Sequence, residues 1–140
     1  MRISKKAQRI QPSLTRKLFN MAKDYRDVID LNLGDPDVTT PERIKLAGCR
    51  AIMDNKTRYS ANAGLIEARR SVAARVQKLW GVDCDPETNL IVTVGGMEAL
   101  FLSLACMVDE GDEVIIFAPY YVNYVQMVNL CGGKPVIIDA

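Results

Sequence analysis

Residues 89–100 read NLIVTVGGMEAL, Asn89 to Leu100. Asn89 to Val94 is a nearly unbroken apolar run, as a strand covered on both faces requires. Gly95-Gly96 breaks it, and Met97 to Val108 is apolar almost all round, the pattern of a buried helix. Downstream, Glu113 to Ala118 (EVIIFA) predicts a second buried strand, Tyr121 to about Leu130 a helix, and Pro135 to Asp139 (PVIID) a third strand. Strands alternating with helices give βαβ units, so the fold class is α/β with a parallel sheet.

Upstream the pattern is helical. Ser13 to Tyr25 carries Leu14, Leu18, Phe19 and Met21 at helical spacing, with Ser13 as cap behind Pro12. Val28 to Leu33 reads as a short extended piece ending in the turn cluster Gly34 to Asp37. A second helix follows, with Thr40 capping, Pro41 at its first position, and Ile44, Ala47, Ile52 and Met53 facing inward. After a loop from Asn55 to Gly64, a third helix runs from about Leu65 to Trp80 and stops at Gly81. Its apolar face is Leu65, Ala68, Val72, Val76 and Leu79; its polar face is Arg69, Arg70, Arg75 and Lys78.

Composition narrows the chemistry. The 140 residues hold 18 Lys+Arg against 17 Asp+Glu, a formal net charge of +1. That balance leaves no electrostatic footprint for nucleic acid. There is no histidine, which removes Ser-His-Asp and Cys-His nucleophiles, imidazole zinc sites and His acid–base chemistry. Catalysis must use Lys, Tyr, Cys, carboxylates or a cofactor. Cys49, Cys84, Cys106 and Cys131 form no CxxC, so no metal site is expected; they read as reduced thiols of a cytoplasmic protein, with Cys106 a small core residue. The basic N-terminus has no apolar segment of a signal peptide. No apolar stretch reaches the ~18 residues of a membrane span.

Three places could carry chemistry. At Val94 to Leu100 the first helical amides have no internal partner and the helix dipole favours an anion, so Gly96 and Met97 could hold a phosphate. The motif is neither GxGxxG nor a P-loop, and on this junction alone a tight ligand-free βα turn is the favoured reading. Pro119-Tyr120-Tyr121 closes the next strand, where open α/β sheets bind ligands; a tyrosine there stacks on a flat ligand or merely covers the sheet end. Arg58 to Gly64 is a polar loop around Tyr59, by itself a surface loop.

Four segments together resemble the class I/II aminotransferases, the pyridoxal-phosphate enzymes of fold type I. They are LNLGDPDVTTP (Leu31 to Pro41), RYSANAGLIEARRSVA (Arg58 to Ala73), IVTVGGMEALFLSL (Ile91 to Leu104) and DEGDEVIIFAPYYVNY (Asp109 to Tyr124). The resemblance implies a three-layer αβα sandwich, incomplete in this chain, with residues 1–38 as N-terminal arm and small-domain segment and 39–140 as the first half of the cofactor-binding large domain. It implies pyridoxal 5'-phosphate as cofactor, an amino acid and a 2-oxo acid as substrates, and a homodimer. Gly34 matches the glycine beside the substrate carboxylate. Tyr59 matches the tyrosine that reaches the partner subunit's cofactor phosphate. Gly95, Gly96 and Met97 match the phosphate turn, where Met97 replaces a hydroxyl residue of many relatives. Tyr121 matches the aromatic stacked on the pyridine ring, often Trp or Phe.

The resemblance also implies what to look for elsewhere. The family's imine-forming lysine, the aspartate at the pyridine nitrogen and the arginine for the substrate carboxylate all lie further downstream. Lys56 and Lys134 do not match that lysine and read as solvated. In the family's sheet the strand matching Ile91 is not beside the strand matching Val114. The expectation is therefore the N-terminal portion of a longer enzyme, inactive in isolation. The alternatives are a carbon–sulfur lyase of the same fold, a non-catalytic aminotransferase-like sensor and, independent of the resemblance, a nucleotide-binding α/β domain. Against the sensor, residues 1–30 are too short for a winged helix-turn-helix ahead of the LGDPD turn. Against the nucleotide-binding domain stands the absent GxGxxG.

Overall fold

The computed structural model describes residues 3–8, 10, 14–29, 31, 34 and 36–140. It contains α1 (Lys5–Gln8), α2 (Leu14–Ala22), α3 (Glu42–Met53), α4 (Ile66–Trp80), α5 (Gly95–Met107), β1 (Glu113–Ala118), α6 (Asn123–Cys131) and β2 (Lys134–Asp139). The chain divides into two compact units, 1–35 with 96–140, and 36–95.

In the first unit β1 and β2 pair in parallel, from Glu113 opposite Lys134 to Ala118 opposite Asp139. The α6 crossover between them makes this one βαβ unit. Gly132 ends α6 in the left-handed region at φ 96°, where a residue without Cβ is at ease. The return into β2 is then held by Gly111 N–H to Gly132 O (2.9 Å) and Lys134 N–H to Asp112 O (2.7 Å). α1, which the sequence pattern did not predict, is capped by the Ser4 hydroxyl accepting from Ala7 N–H at 3.2 Å. It lies beside α6. Its ion pair from Lys6 to Glu110 (3.5 Å) is exposed on both sides and adds little.

Burial departs from the sequence expectation. Among the described residues only Ile116 and Val128 are buried hydrophobics. Phe117 and Ile115 of β1, expected inside, are exposed, as are Leu100 and Leu102 of α5. Cys106, expected in the core, is exposed too. A strand is buried on both faces only when layers cover both and strands flank it. Among the described residues β1 has one paired neighbour, and α6 packs against it.

The second unit holds α3 and α4. The expected strand Asn89 to Val94 forms no strand. Val92 N–H donates to Ala63 O at 2.9 Å, and one such bond is not a ladder. α3 begins one residue later than expected: Pro41 is its N-cap, with no side-chain cap, so Thr40 does not cap it. Pro41 O instead accepts from Ile44 and Lys45 N–H. Ile44, Ile52 and Met53, expected to face inward, are exposed. α4 ends as expected at Gly81, φ 68°. The Ser13 cap of α2 lies outside the described residues.

A larger correction concerns Arg69. Assigned to the polar face of α4, it is 8% exposed, the buried charged residue of this unit among the described residues. Its Nε donates to Gly64 O, and its Nη1 donates to Pro86 O and Glu87 O. The guanidinium thus ties the loop before α4 to the loop after it.

That second loop carries its own turn. The Asp85 carboxylate accepts from Glu87 N–H (2.9 Å) and the Thr88 hydroxyl (2.8 Å). These two bonds, the backbone one first, hold the Asp85 carboxyl below its ordinary value despite a small opposing desolvation. A lowered folded-state value stabilises the protein above the unfolded value, and that contribution is lost as pH falls through the folded one. Thr88→Ala is therefore expected to move the Asp85 titration upward, toward the ordinary carboxylate value, in NMR of the side-chain carbon. An unchanged midpoint would remove the hydroxyl as a cause.

Candidate functional site

The C-terminal end of β1 leads through Pro119 and Tyr120 to Tyr121, and α6 starts at Asn123. The Ala118–Pro119 peptide is cis. The Tyr121 side of this connection is exposed, with the residue at 52%. Tyr124 packs edge-on against the Tyr121 ring, centroids 5.7 Å apart and planes at 76°, the arrangement aromatic quadrupoles favour. The two rings are not stacked face to face. Beneath lies a mainly apolar cleft of about 600 Å³ lined by Leu104, Val114, Ile116, Tyr120, Tyr121 and Met127, among others.

The glycine turn sits at the start of α5. Gly95 has φ +74°, a left-handed conformation that favours glycine. Its N–H donates to Thr93 O (2.9 Å), and its carbonyl accepts the Thr93 hydroxyl (3.0 Å). The Gly95 amide is thus already used. Those of Gly96 and Met97 are first-turn amides, which have no acceptor within their own helix. A Cβ built at Gly95 or Gly96 meets nothing within 4 Å, so the space in front of both is open.

The turn and the aromatic meet through one side chain. Asn123 Nδ2 donates to Tyr121 Oη at 3.0 Å and lies 3.9 Å from Met97 Sδ. Gly96, Met97 and Tyr121 thus belong to one unit, with Asn123 between the latter two. Sequence reasoning did not single out Asn123. Its only local signal was an amide between two tyrosines in Tyr121-Val122-Asn123-Tyr124.

The other expected site residues are exposed. Tyr59 is fully exposed, in the α3–α4 loop of the second unit. Gly34 is exposed, and a Cβ there meets nothing within 4 Å. Lys56 and Lys134 are both exposed.

The sequence profile described as aminotransferase class I and II matches residues 26–140. The chain belongs to the class I and II aminotransferases. It is 39% identical over 136 residues to aromatic-amino-acid aminotransferase 2 of Thermococcus litoralis, covering 97% of this chain and 35% of that protein. To a probable N-acetyl-LL-diaminopimelate aminotransferase of Bacillus subtilis it is also 39% identical, covering 98% of this chain and 35% of the other. The structure superposes on aspartate aminotransferase from Thermus thermophilus with maleate at a TM-score of 0.93 and 39% identity. That match covers 100% of this chain and 38% of the other. This aminotransferase chain therefore has the α/β fold of part of those enzymes, and it spans about 35% of the length of the curated relatives it matches.

Proposed function

We propose that the protein is a pyridoxal 5'-phosphate-dependent aminotransferase that moves an amino group from an amino acid to a 2-oxo acid. The activity is that of the whole protein. The observation that carries this reading is the pairing, within one unit, of the Gly96–Met97 start of α5 with an exposed aromatic ring. Open space lies before Gly95 and Gly96, and Tyr121 is held at the end of β1 beside Met97. These residues fit the group: an anion has free amides and a helix N-terminus, and a flat ring has a π-face.

The cofactor, when bound, acts as an electron sink for the bonds at the substrate α-carbon. This chain's residues would hold and orient it. Gly96 and Met97 N–H donate to the phosphate, Gly95 supplies the backbone bend, and Tyr121 covers one ring face. Met97 adds no hydroxyl donor, so the backbone carries that contact. Gly34 borders the substrate carboxylate. Tyr59, whose phenol is fully exposed, reaches the phosphate of the partner subunit in a homodimer. Residues 1–38 belong to the arm and small domain, 39–140 to the large domain. All four cysteines are free thiols, in keeping with a cytoplasmic protein. The relatives named for aromatic, aspartate or diaminopimelate substrates differ among themselves, so the donor is not assigned.

Gly96→Leu tests the phosphate turn cleanly. The new side chain meets no protein atom at its Cβ, and Gly96 is not among the residues with positive φ. Folding should be unaffected, while cofactor affinity, read by absorbance titration of the full-length protein, should drop by about tenfold or more. Normal loading of the variant would sink the assignment.

A further inference from the structure

We propose that Asn123 is a positioning residue for Tyr121: it anchors the phenol by its hydroxyl and ties the ring to the Met97 side of the glycine turn. The inference rests on the cofactor reading above and gives a role to a residue of the fourth matched segment that the resemblance left without one.

The Tyr121 ring is more than half exposed and has one ring neighbour, Tyr124, which touches it edge-on. An edge contact leaves a ring free to rock about its own axis. A stacking platform works only when its plane is held within about 10–20° of the productive geometry. The second point of support is at the far end of the ring, where Asn123 Nδ2 donates to Tyr121 Oη at 3.0 Å. Asn123 is itself well placed to serve as an anchor. It is half-buried and is the first residue of α6. The adjoining backbone is closed by Tyr124 N–H to Tyr121 O, 3.0 Å. The same amide nitrogen lies 3.9 Å from Met97 Sδ. A primary amide has two N–H groups and thioether sulfur is a weak acceptor, so one nitrogen serves both partners.

The hydroxyl is what makes the arrangement work. Phenylalanine at position 121 would offer the same π-face and no attachment point. The role of Asn123 must therefore vanish when the hydroxyl is removed, which a purely structural role at the start of α6 would not do.

The test is a double-mutant cycle on the full-length protein with pyridoxal 5'-phosphate. The readouts are its dissociation constant and the induced circular dichroism of its absorption band. Asn123→Leu keeps the bulk and removes the donor. In the Tyr121 background it is expected to weaken binding by about fivefold and to reduce the induced signal. In the Tyr121→Phe background the same substitution is expected to change neither. Equal losses in both backgrounds, or no loss in either, overturn the role of Asn123 while leaving the cofactor reading intact. Absence of cofactor binding by the unsubstituted protein overturns both.

Discussion

Replacing Arg69 by methionine is expected to cost about 3 kcal/mol of stability, far more than any other charge removal on α4. The guanidinium is 8% exposed and donates to the carbonyls of Gly64, Pro86 and Glu87. Methionine matches much of its bulk and none of its donors. The three bonds are part-buried, so the carbonyls that lose this donor recover water only in part and keep some of the about 1–3 kcal/mol penalty of an unsatisfied group. Some relaxation toward water at the loop surface brings the sum down. Arg70 is the internal control. It pairs with Glu87 at 3.5 Å, with both side chains more than 60% exposed, so Arg70→Met should change stability by no more than about 0.5 kcal/mol. Arg69→Lys should fall between the two, because an ammonium lacks the planar fork that reaches carbonyls from two loops. Urea unfolding of the three variants decides it. Equal midpoints for Arg69→Met and Arg70→Met would show that the buried bonds carry no net weight.

The second large effect is expected at Gly64, next to the same corner. Gly64→Val should cost about 3 kcal/mol. Two causes add. Gly64 has φ +92°, and a Cβ there falls 2.8 Å from both Cβ and Cγ2 of Val92. A β-branched residue at positive φ is a genuine outlier. The overlap cannot be relieved by a small backbone shift, because Val92 N–H is bonded to Ala63 O at 2.9 Å and Gly64 O receives Arg69 Nε. The two causes separate experimentally. Gly64→Ala made in a Val92→Gly background loses the overlap with both Cβ and Cγ2 and keeps the strain, so its cost should be smaller there than in the unsubstituted protein. The same cost in both backgrounds would assign everything to φ and nothing to Val92.

Both effects converge on the segment that carries Tyr59. The loop of residues 55–64 joins α3 to α4, and Arg69 and Gly64 fasten its C-terminal end. Variants at either position report on the second unit, whereas Gly96→Leu and Asn123→Leu report on the first. The four together separate loss of fold from loss of cofactor.

Among the described residues, periodicity and punctuation alone gave five of the six helices and both paired strands close to their observed limits. Apolar residues at helical spacing gave α2, α3 and α4, and Gly81 and Gly132 stopped helices because each takes up a left-handed φ. The glycine turn before α5 and the aromatic after β1 were visible because their chemistry is local. Residue spacing could not tell that Asn89 to Val94 lacks a ladder, since a strand exists only with a partner strand. It did not show that Arg69 is buried, because its charge placed it with Arg70, Arg75 and Lys78; on a helical wheel it falls about 20° from Val76 and about 100° from Arg70, at the edge of the apolar face, where the loop after α4 supplies its acceptors. The missed α1 is a single turn of four residues, too short to show a period.

The sequence by itself determined the βαβ alternation, the glycine bends and the family, since four motifs in register leave little freedom for another fold. Tertiary structure alone decided which polar groups meet. Asn123 and Met97 are 26 residues apart, Arg69 and Pro86 are 17 apart, and no period or propensity encodes such pairs. They exist because the packed backbone brings donors and acceptors within 4 Å of each other, and a hydrogen bond forms only where that distance and its angle are satisfied.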